Sequence, residues 1–165
     1  MNIQFGDRLN KESIENGHDF SPKFGDDGLI PAVAQDASSG KVLMVAYMNN
    51  EALKQTLEKG EAVYYSRSRN KLWHKGESSG HTQKIIEILT DCDQDVVVLR
   101  VDQIGPGCCH VGYESCFYRK VPFGNKGNDS ELNGVAQLEH KGSQTYDPKE
   151  VYCCLLYTSP SPRDR

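Results

Sequence analysis

Short apolar runs separated by turn signals occupy the chain between Leu29 and Val121, and this pattern constrains the fold more than any other feature. Their lengths and their β-branched content are typical of strands. The runs are Leu29–Met48 with a turn at Ser38-Ser39-Gly40, Ala62–Tyr65, Gln83–Thr90, Val96–Val101 and Phe117–Val121. Because strands and helices do not alternate, a doubly wound parallel sheet is disfavoured. The sequence predicts a mainly β, α+β fold.

A single segment carries helix signals. Asn49 is a suitable N-cap, Glu51 places an acidic group in the first turn, and Lys59-Gly60 is a typical C-terminal end. The sequence therefore predicts one short helix over Glu51–Lys59. A chain of 165 residues is also of the size expected for a single domain.

Composition excludes several classes of protein. The net charge of -4 disfavours general binding to nucleic acids or anionic membranes, so we expect neither as a partner. No apolar run approaches the ~20 residues of a membrane span. Residues 1–19 lack the apolar core of a secretory signal. We therefore expect a cytoplasmic protein, whose cysteines are more often ligands or catalysts than disulfides.

The chain divides into four parts by composition. Residues 1–27 are polar and are expected to form a loose leader, and residues 28–122 hold the strand and helix signals. Residues 123–153 are irregular, and we expect a partly flexible extension. Residues 154–165 follow the translation of a transposase sequencing adapter, so we interpret them as an artefact that replaces a lost continuation.

An acidic stretch between two predicted strands, Asp91-Cys92-Asp93-Gln94-Asp95, is the first candidate metal site. If it is extended, the three carboxylates share one face within roughly 7 Å, and Cys92 points to the other. Such carboxylates repel one another unless a cation such as Mg²⁺ neutralises them. A solvated acidic turn is the alternative. An EF-hand loop is excluded, because Val96 stands where that loop requires Gly.

Thiols form the second candidate site. Cys92, Cys109 and Cys116 offer soft ligands for Zn²⁺, and His110 follows Cys109 directly. Three ligands leave a fourth position open, as hydrolytic zinc chemistry requires. Buried, inert thiols are the alternative reading.

A basic, polar segment from Ser66 to His81 is the third candidate site, and we expect it to be a loop. Arginine forks, serine hydroxyls and glycine-exposed backbone N–H groups suit a phosphate, although a solvated basic loop would look the same. The candidate substrate-binding residues are Arg67, Ser68, Arg69, Lys71, Trp73, Lys75, Ser78 and Ser79.

Taken together, these motifs resemble those of the phosphoribosyl-AMP cyclohydrolases of histidine biosynthesis. The resemblance covers Leu29–Pro122. It rests on five ordered blocks: Met48–Leu53, Tyr65–Arg69, Leu72–His81, Asp91–Asp95, and Gly107–His110 with Ser115–Phe117. Residues 28–122 would then be the catalytic domain. Tyr146–Tyr152 looks like the ending of longer members, and a lost fused pyrophosphohydrolase domain stays possible.

This resemblance implies an intertwined homodimer and the metals of the site. One Zn²⁺ per subunit would be shared, with Cys92 from one subunit and Cys109 and Cys116 from the other. Mg²⁺ would be bound by Asp91, Asp93 and Asp95. The substrate would be phosphoribosyl-AMP, opened by water between N1 and C6 of its adenine ring.

For proton transfer in that reaction we expect His110, with His74 and His81 as rivals. Three other functions compete. A zinc nucleobase deaminase is excluded, because its Pro-Cys-x-x-Cys motif is absent. A non-catalytic module with a closed Cys₃His zinc site (Cys92, Cys109, Cys116 and His110) is the main alternative. A nucleotide-binding regulator that uses only the basic segment is the third.

Overall fold

The computed structural model describes residues 2–124 and 135–152, and their architecture is mainly β. In chain order the elements are α1 (Lys11–Asn16), β1 (Ile30–Asp36), β2 (Val42–Met48), α2 (Asn50–Lys59), β3 (Val63–Ser66), β4 (Lys71–His74), β5 (Gln83–Thr90), β6 (Val97–Gln103), β7 (Arg119–Lys120), β8 (Glu139–His140) and α3 (Pro148–Tyr152). The predicted fold class is confirmed. The prediction of a single helix is wrong, because two further short helices form near the chain ends.

A four-stranded sheet with the order β2-β1-β6-β5 forms the centre of the fold. β1 and β2 make the predicted antiparallel hairpin, with Ile30 opposite Met48. β5 and β6 are also antiparallel, whereas β1 and β6 run parallel. Since β6 begins just after the acidic stretch and ends just before the cysteine-containing segment, the two candidate metal sites lie at opposite ends of this strand.

Alternating side chains of the two central strands build the core. The buried side chains are Ile30, Ala32 and Ala34 on β1 and Val97, Leu99 and Val101 on β6. The residues between them on each strand are more exposed. This period of two is what a half-buried sheet requires. Helix α2 packs Leu53 into the same core, and its ends are those predicted: the Asn49 side chain accepts from the Ala52 N–H, and Gly60 adopts a left-handed conformation.

The segment from Ser66 to His81 is not the loop that the sequence suggested. Strands β3 and β4 pair as an antiparallel hairpin, with Tyr64 opposite Trp73. Trp73 is buried against Tyr64, their ring centroids 5.6 Å apart, so it anchors the hairpin in the core. The sequence did not predict β4, because polar residues flank this short strand on both sides.

The N-terminal segment is polar, as predicted, but it is not loose. Helix α1 begins with a capping box at Asn10, and Ile14 is buried. Three aromatic side chains of the segment, Phe5, Phe20 and Phe24, pack against the core. Widely spaced apolar residues in a polar background gave no periodic signal for this packing.

The C-terminal part contains the small β7–β8 pair and α3. Residues 125–134 and 153 of the predicted extension, and all of the predicted artefact 154–165, lie outside the described residues. None of the helices in the described parts of the chain combines the length and the apolar content needed to span a bilayer.

Candidate active site

The acidic stretch is a turn, not the extended strand assumed from the sequence. Gln94 donates its N–H to the carbonyl oxygen of Asp91 at 3.1 Å, and its φ of 57° is left-handed. The N–H of Asp95 donates to Asp91 Oδ1 at 3.1 Å. One oxygen from each of Asp91, Asp93 and Asp95 lies within 4.8 Å of the others. The carboxylates therefore converge as predicted, by a turn that wraps around them.

The charges in this turn interact strongly. Hydrogen bonds to Asp91 and Asp93 raise the pKa of Asp95, and their negative charges act in the same direction. Slight burial acts to raise the pKa of Asp91, but hydrogen bonds from the other two carboxyls lower it more. The opposite pKa shifts of Asp91 and Asp95 show that the carboxyl groups interact. A bound divalent cation would relieve the same repulsion, so the donor set fits Mg²⁺.

The cysteine-containing segment folds back on itself after β6. The N–H groups of Cys108 and Cys109 donate to the carbonyl oxygens of Glu114 and Tyr113, and Cys116 donates to Leu43. A Cβ atom on Gly107 would lie 2.4 Å from the Tyr113 carbonyl oxygen, so the close approach requires glycine there.

The fold-back brings three thiols together. Cys108 Sγ and Cys116 Sγ are 4.0 Å apart. The Cys109 thiol is close enough to that of Cys116 for each to shift the pKa of the other. The hydrogen bond to Cys108 and burial raise the pKa of Cys116 to about 11, although Cys109 acts against this. The hydrogen bond to Cys116 and burial likewise raise the pKa of Cys109. The thiols of Cys109 and Cys116 therefore favour the protonated form in metal-free protein, whereas the hydrogen bond with Cys116 lowers the pKa of Cys108. Cys109 and Cys116 fit a soft metal such as Zn²⁺.

Cys92 does not join these thiols. It is exposed on the acidic turn, before β6 begins, whereas Cys109 follows the end of β6. The seven residues of β6 separate them by a strand about 20 Å long. Within one chain the structure thus brings together Cys109 and Cys116 but not Cys92, and a closed Cys₃His site within a single chain is excluded.

Lys75, which was predicted to hold phosphate, lies inside the protein next to the thiols. Its side chain is 3% exposed, and its ammonium donates to the carbonyl oxygen of Cys108 at 2.8 Å. Burial lowers the pKa of Lys75, while the thiols of Cys108, Cys116 and Cys109 act to raise it. Lys75 thus supplies a positive charge to the thiol cluster. Trp73 was also predicted to contact substrate, and the structure places it in the core against Tyr64.

The remaining basic and hydroxyl candidates lie on the β3–β4 hairpin and on the loop that follows it. Arg67 and Ser68 are exposed where the β3–β4 hairpin turns, and the Arg67 guanidinium lies 4.2 Å from the centre of the Tyr47 ring. Arg69 donates its backbone N–H to Ser66 Oγ at 3.3 Å. Lys71 and Ser78 are exposed, and Ser79 accepts from the His81 N–H. These residues give the β3–β4 hairpin and the following loop a polar, cationic surface, here called the hairpin rim.

The three candidate histidines have different surroundings. His74 is paired with Glu61 at 2.7 Å. His81 is buried, with its ring 5.0 Å from that of Tyr146. Burial lowers the pKa of His81 from its ordinary value of 6.5; a hydrogen bond to Gly107 opposes this, and the charge of Lys75 supports it. A neutral imidazole can act as a proton acceptor in catalysis.

His110 is half-buried and adjoins Cys109 in sequence. The hydroxyl of Tyr146 donates to the carbonyl oxygen of Cys109, so Tyr146 closes one side of this region. The sequence motifs gave no role to Tyr146, because it lies 30 residues beyond Cys116, the last of these thiols.

Comparison with known proteins decides the family. The family profile for phosphoribosyl-AMP cyclohydrolase matches residues 44–118. A phosphoribosyl-AMP cyclohydrolase of Rhodopseudomonas palustris (strain TIE-1) is 49% identical over 141 residues, which cover 86% of this chain and 89% of the relative. One from Bradyrhizobium diazoefficiens is 50% identical over 139 residues, covering 84% and 94%. One from Nitrosomonas europaea is 64% identical over 98 residues, covering 59% and 76%.

The chain belongs to the phosphoribosyl-AMP cyclohydrolase family. It is therefore a hydrolase of histidine biosynthesis. The residues that match the cyclohydrolase profile include the acidic turn, the β3–β4 hairpin and the thiol cluster. The N-terminal segment and Tyr146 lie outside that profile match.

Proposed function

We propose that this chain opens the adenine ring of 1-(5-phosphoribosyl)-AMP by hydrolysis, in a site built by two copies of the chain. In this reaction the oxygen of water bonds to C6, the N1–C6 bond breaks, and N1 receives a proton. The carrying observation is the separation of the thiols: Cys109 and Cys116 lie together at one end of β6, and Cys92 lies at the other. A second copy supplies the missing ligand.

Zinc is the metal that the thiols suit. Two sulfurs from one subunit and Cys92 from its partner would hold it and leave one position free. When bound, the zinc would supply the water activation that hydrolysis needs at neutral pH. Lys75 would offset the negative charge of the thiolates from inside the protein. Mg²⁺ would be bound beside Cys92 by Asp91, Asp93 and Asp95. Both metal ions would then lie at the interface between the two subunits.

Proton transfer is assigned to the imidazoles at the thiol cluster. His81 is held neutral by burial, and His110 adjoins Cys109, so either can accept a proton from water and return it to N1. His74 is the weaker candidate, because it is engaged by Glu61.

Binding of the two phosphates is assigned to the hairpin rim. Arg67 and Arg69 carry guanidinium forks that match phosphate geometry, and Lys71 adds a further charge. Ser68, Ser78 and Ser79 supply hydroxyl groups beside them.

Turnover and metal content measured on one preparation test the proposal. We expect loss of phosphoribosyl-AMP absorbance by the purified protein, with about one zinc per subunit. A zinc chelator should abolish turnover, and added Zn²⁺ should restore it. Full turnover by metal-free protein would contradict the zinc assignment, and a zinc-loaded, folded protein without turnover would contradict the enzymatic one.

A further inference from the structure

The N-terminal segment is attached to the acidic turn by polar contacts, although it lies outside the profile match of the family. At one side the segment packs Phe5 and Phe20 against the core. At the other it borders a cavity of about 390 Å³ between helix α1 and the turn, whose walls include Ile14, Asp91 and Cys92. The segment therefore connects the core to the part of the turn that carries the candidate metal ligands.

Gln94 is the main point of attachment. Its side chain is 6% exposed, and both ends of its amide are used. Oε1 accepts from the Ser21 N–H at 2.7 Å, and Nε2 donates to the Ile14 carbonyl oxygen at 3.0 Å. Its own carbonyl oxygen accepts from the Lys23 N–H at 2.7 Å. Three hydrogen bonds thus fix this one residue to the N-terminal segment.

The backbone conformation of Gln94 explains why such attachment is needed. A φ of 57° is costly for an L residue with a side chain, and glycine is the residue that adopts it freely. Strained conformations of this kind persist only where the surroundings enforce them. The hydrogen bonds from the N-terminal segment are the enforcing contacts on Gln94.

Arg8 makes a second, independent attachment. Its guanidinium donates to the Ser21 carbonyl oxygen at 2.6 Å and to the Asp93 carbonyl oxygen at 2.9 Å. The first bond ties Arg8 to its own segment and the second reaches the turn. Arg8 and Gln94 therefore hold the backbone on both sides of the peptide bond that joins Asp93 to Gln94.

We propose that Arg8 and Gln94 are positioning residues, through which the N-terminal segment holds the acidic turn in the geometry that lets Asp91, Asp93 and Asp95 share one cation. This proposal rests on the proposed function, because it takes the carboxylates as the Mg²⁺ site. The hydrogen bonds of Arg8 and Gln94 described above do not involve the carboxylate oxygens. Both residues act on the backbone of the turn that carries these carboxylates. In this chain the acidic turn is thus supported by a segment that lies outside the profile match.

The variants separate the attachment from backbone strain. Gln94→Gly removes the side-chain hydrogen bonds and relieves the strain, whereas Gln94→Ala removes the bonds and keeps the strain. Arg8→Gln removes the link to Asp93. Its matched control is Lys11→Gln, which removes one positive charge from the same segment but only an exposed pair with Glu15.

Two measurements on the full chain test whether Arg8 and Gln94 position the acidic turn. Hydrogen exchange of the amides in residues 91–96 reports on the turn itself, and Mn²⁺ binding followed by electron paramagnetic resonance reports on the cation site. We expect Arg8→Gln, Gln94→Gly and Gln94→Ala to speed exchange and to weaken Mn²⁺ binding by about tenfold. Lys11→Gln should behave like the wild type in both measurements.

Failure of this proposal is distinguishable from failure of the proposed function. Wild-type exchange rates and Mn²⁺ affinity in Gln94→Gly and Arg8→Gln would overturn the positioning role. Asp93→Asn serves as the reference for the cation site. If it binds Mn²⁺ as the wild type does, the Mg²⁺ assignment fails and with it the positioning of a metal site, whatever the exchange rates are.

Discussion

The Lys75 ammonium donates a 2.8 Å hydrogen bond to the carbonyl oxygen of Cys108, so a buried positive charge lies beside the thiols that we assign to zinc. A buried charge is stable only with compensating partners. In metal-free protein that compensation comes from a carbonyl group and polarisable thiols. Thiolates around a metal would compensate it better, so the lysine and the metal should stabilise each other.

Replacing Lys75 should therefore weaken zinc binding. We expect Lys75→Met to lower zinc affinity by about tenfold, because the thiolates lose a neighbouring positive charge and Cys108 loses a backbone contact. Competition with a chromophoric chelator measures this. Lys84→Met is the matched control, since Lys84 is exposed on β5. Equal zinc affinity in the two variants would show that the Lys75 charge does not act on the metal.

A pH dependence of stability should originate at His81. Its folded-state pKa is lowered below 6.5, mainly by burial, so the unfolded chain binds a proton more readily. The contribution of the neutral ring is thus complete above pH 6.5 and is lost as the pH falls towards the lowered value. We expect His81→Gln to flatten the slope of unfolding free energy against pH in this window.

Denaturant titrations of metal-free protein across that pH range provide the measurement. His18→Gln is the control, because His18 is exposed. If the slope of unfolding free energy against pH is the same in the wild type and in His81→Gln, His81 is not the origin of the pH dependence.

Thr56 should be the main polar contact between α2 and β3. Its buried hydroxyl lies 2.9 Å from the Ala52 carbonyl oxygen and accepts from the Val63 N–H at 3.0 Å. Thr56→Val keeps the shape but leaves the Val63 N–H without this acceptor, so we expect a loss of about 1–3 kcal/mol in unfolding free energy. Thr56→Ser keeps the hydroxyl and should lose less in the same urea titration. Equal losses would mean that packing, not the hydrogen bond, determines the effect.

The sequence predicted the elements whose signals are local. The hairpin of β1 and β2, the caps of α2 at Asn49 and Gly60, and the limits of β5 follow from turn residues and periodicity, and the structure agrees with them. The convergence of Asp91, Asp93 and Asp95 was also predicted, although the mechanism was wrong. An alternating pattern cannot reveal a turn that depends on a distant segment for its left-handed Gln94.

Features that arise from long-range packing were missed for the same reason. Lys75 was predicted only as a phosphate-binding residue, because nothing near it in sequence shows that its side chain lies at the thiols. The roles of Arg8 and Tyr146 depend on contacts with residues far along the chain. Short strand β4 was hidden by its polar neighbours.

The sharing of one site by two copies of the chain is tested most directly by mixing inactive variants. Cys92→Ala and Cys109→Ala should each be inactive alone. In a hybrid dimer, one site combines the intact Cys92 of one subunit with the intact Cys109 and Cys116 of the other. Unfolding the two variants together and refolding them should therefore recover about a quarter of wild-type turnover, if the subunits of a two-fold dimer reassociate at random.

Mixing Cys109→Ala with Cys116→Ala is the control for this experiment, because both changes damage the same half of the site and no hybrid contains an intact one. Recovery of phosphoribosyl-AMP turnover with the first pair, and not with the second, is the predicted result. Proven hybrid dimers of Cys92→Ala and Cys109→Ala without any turnover would contradict the shared site.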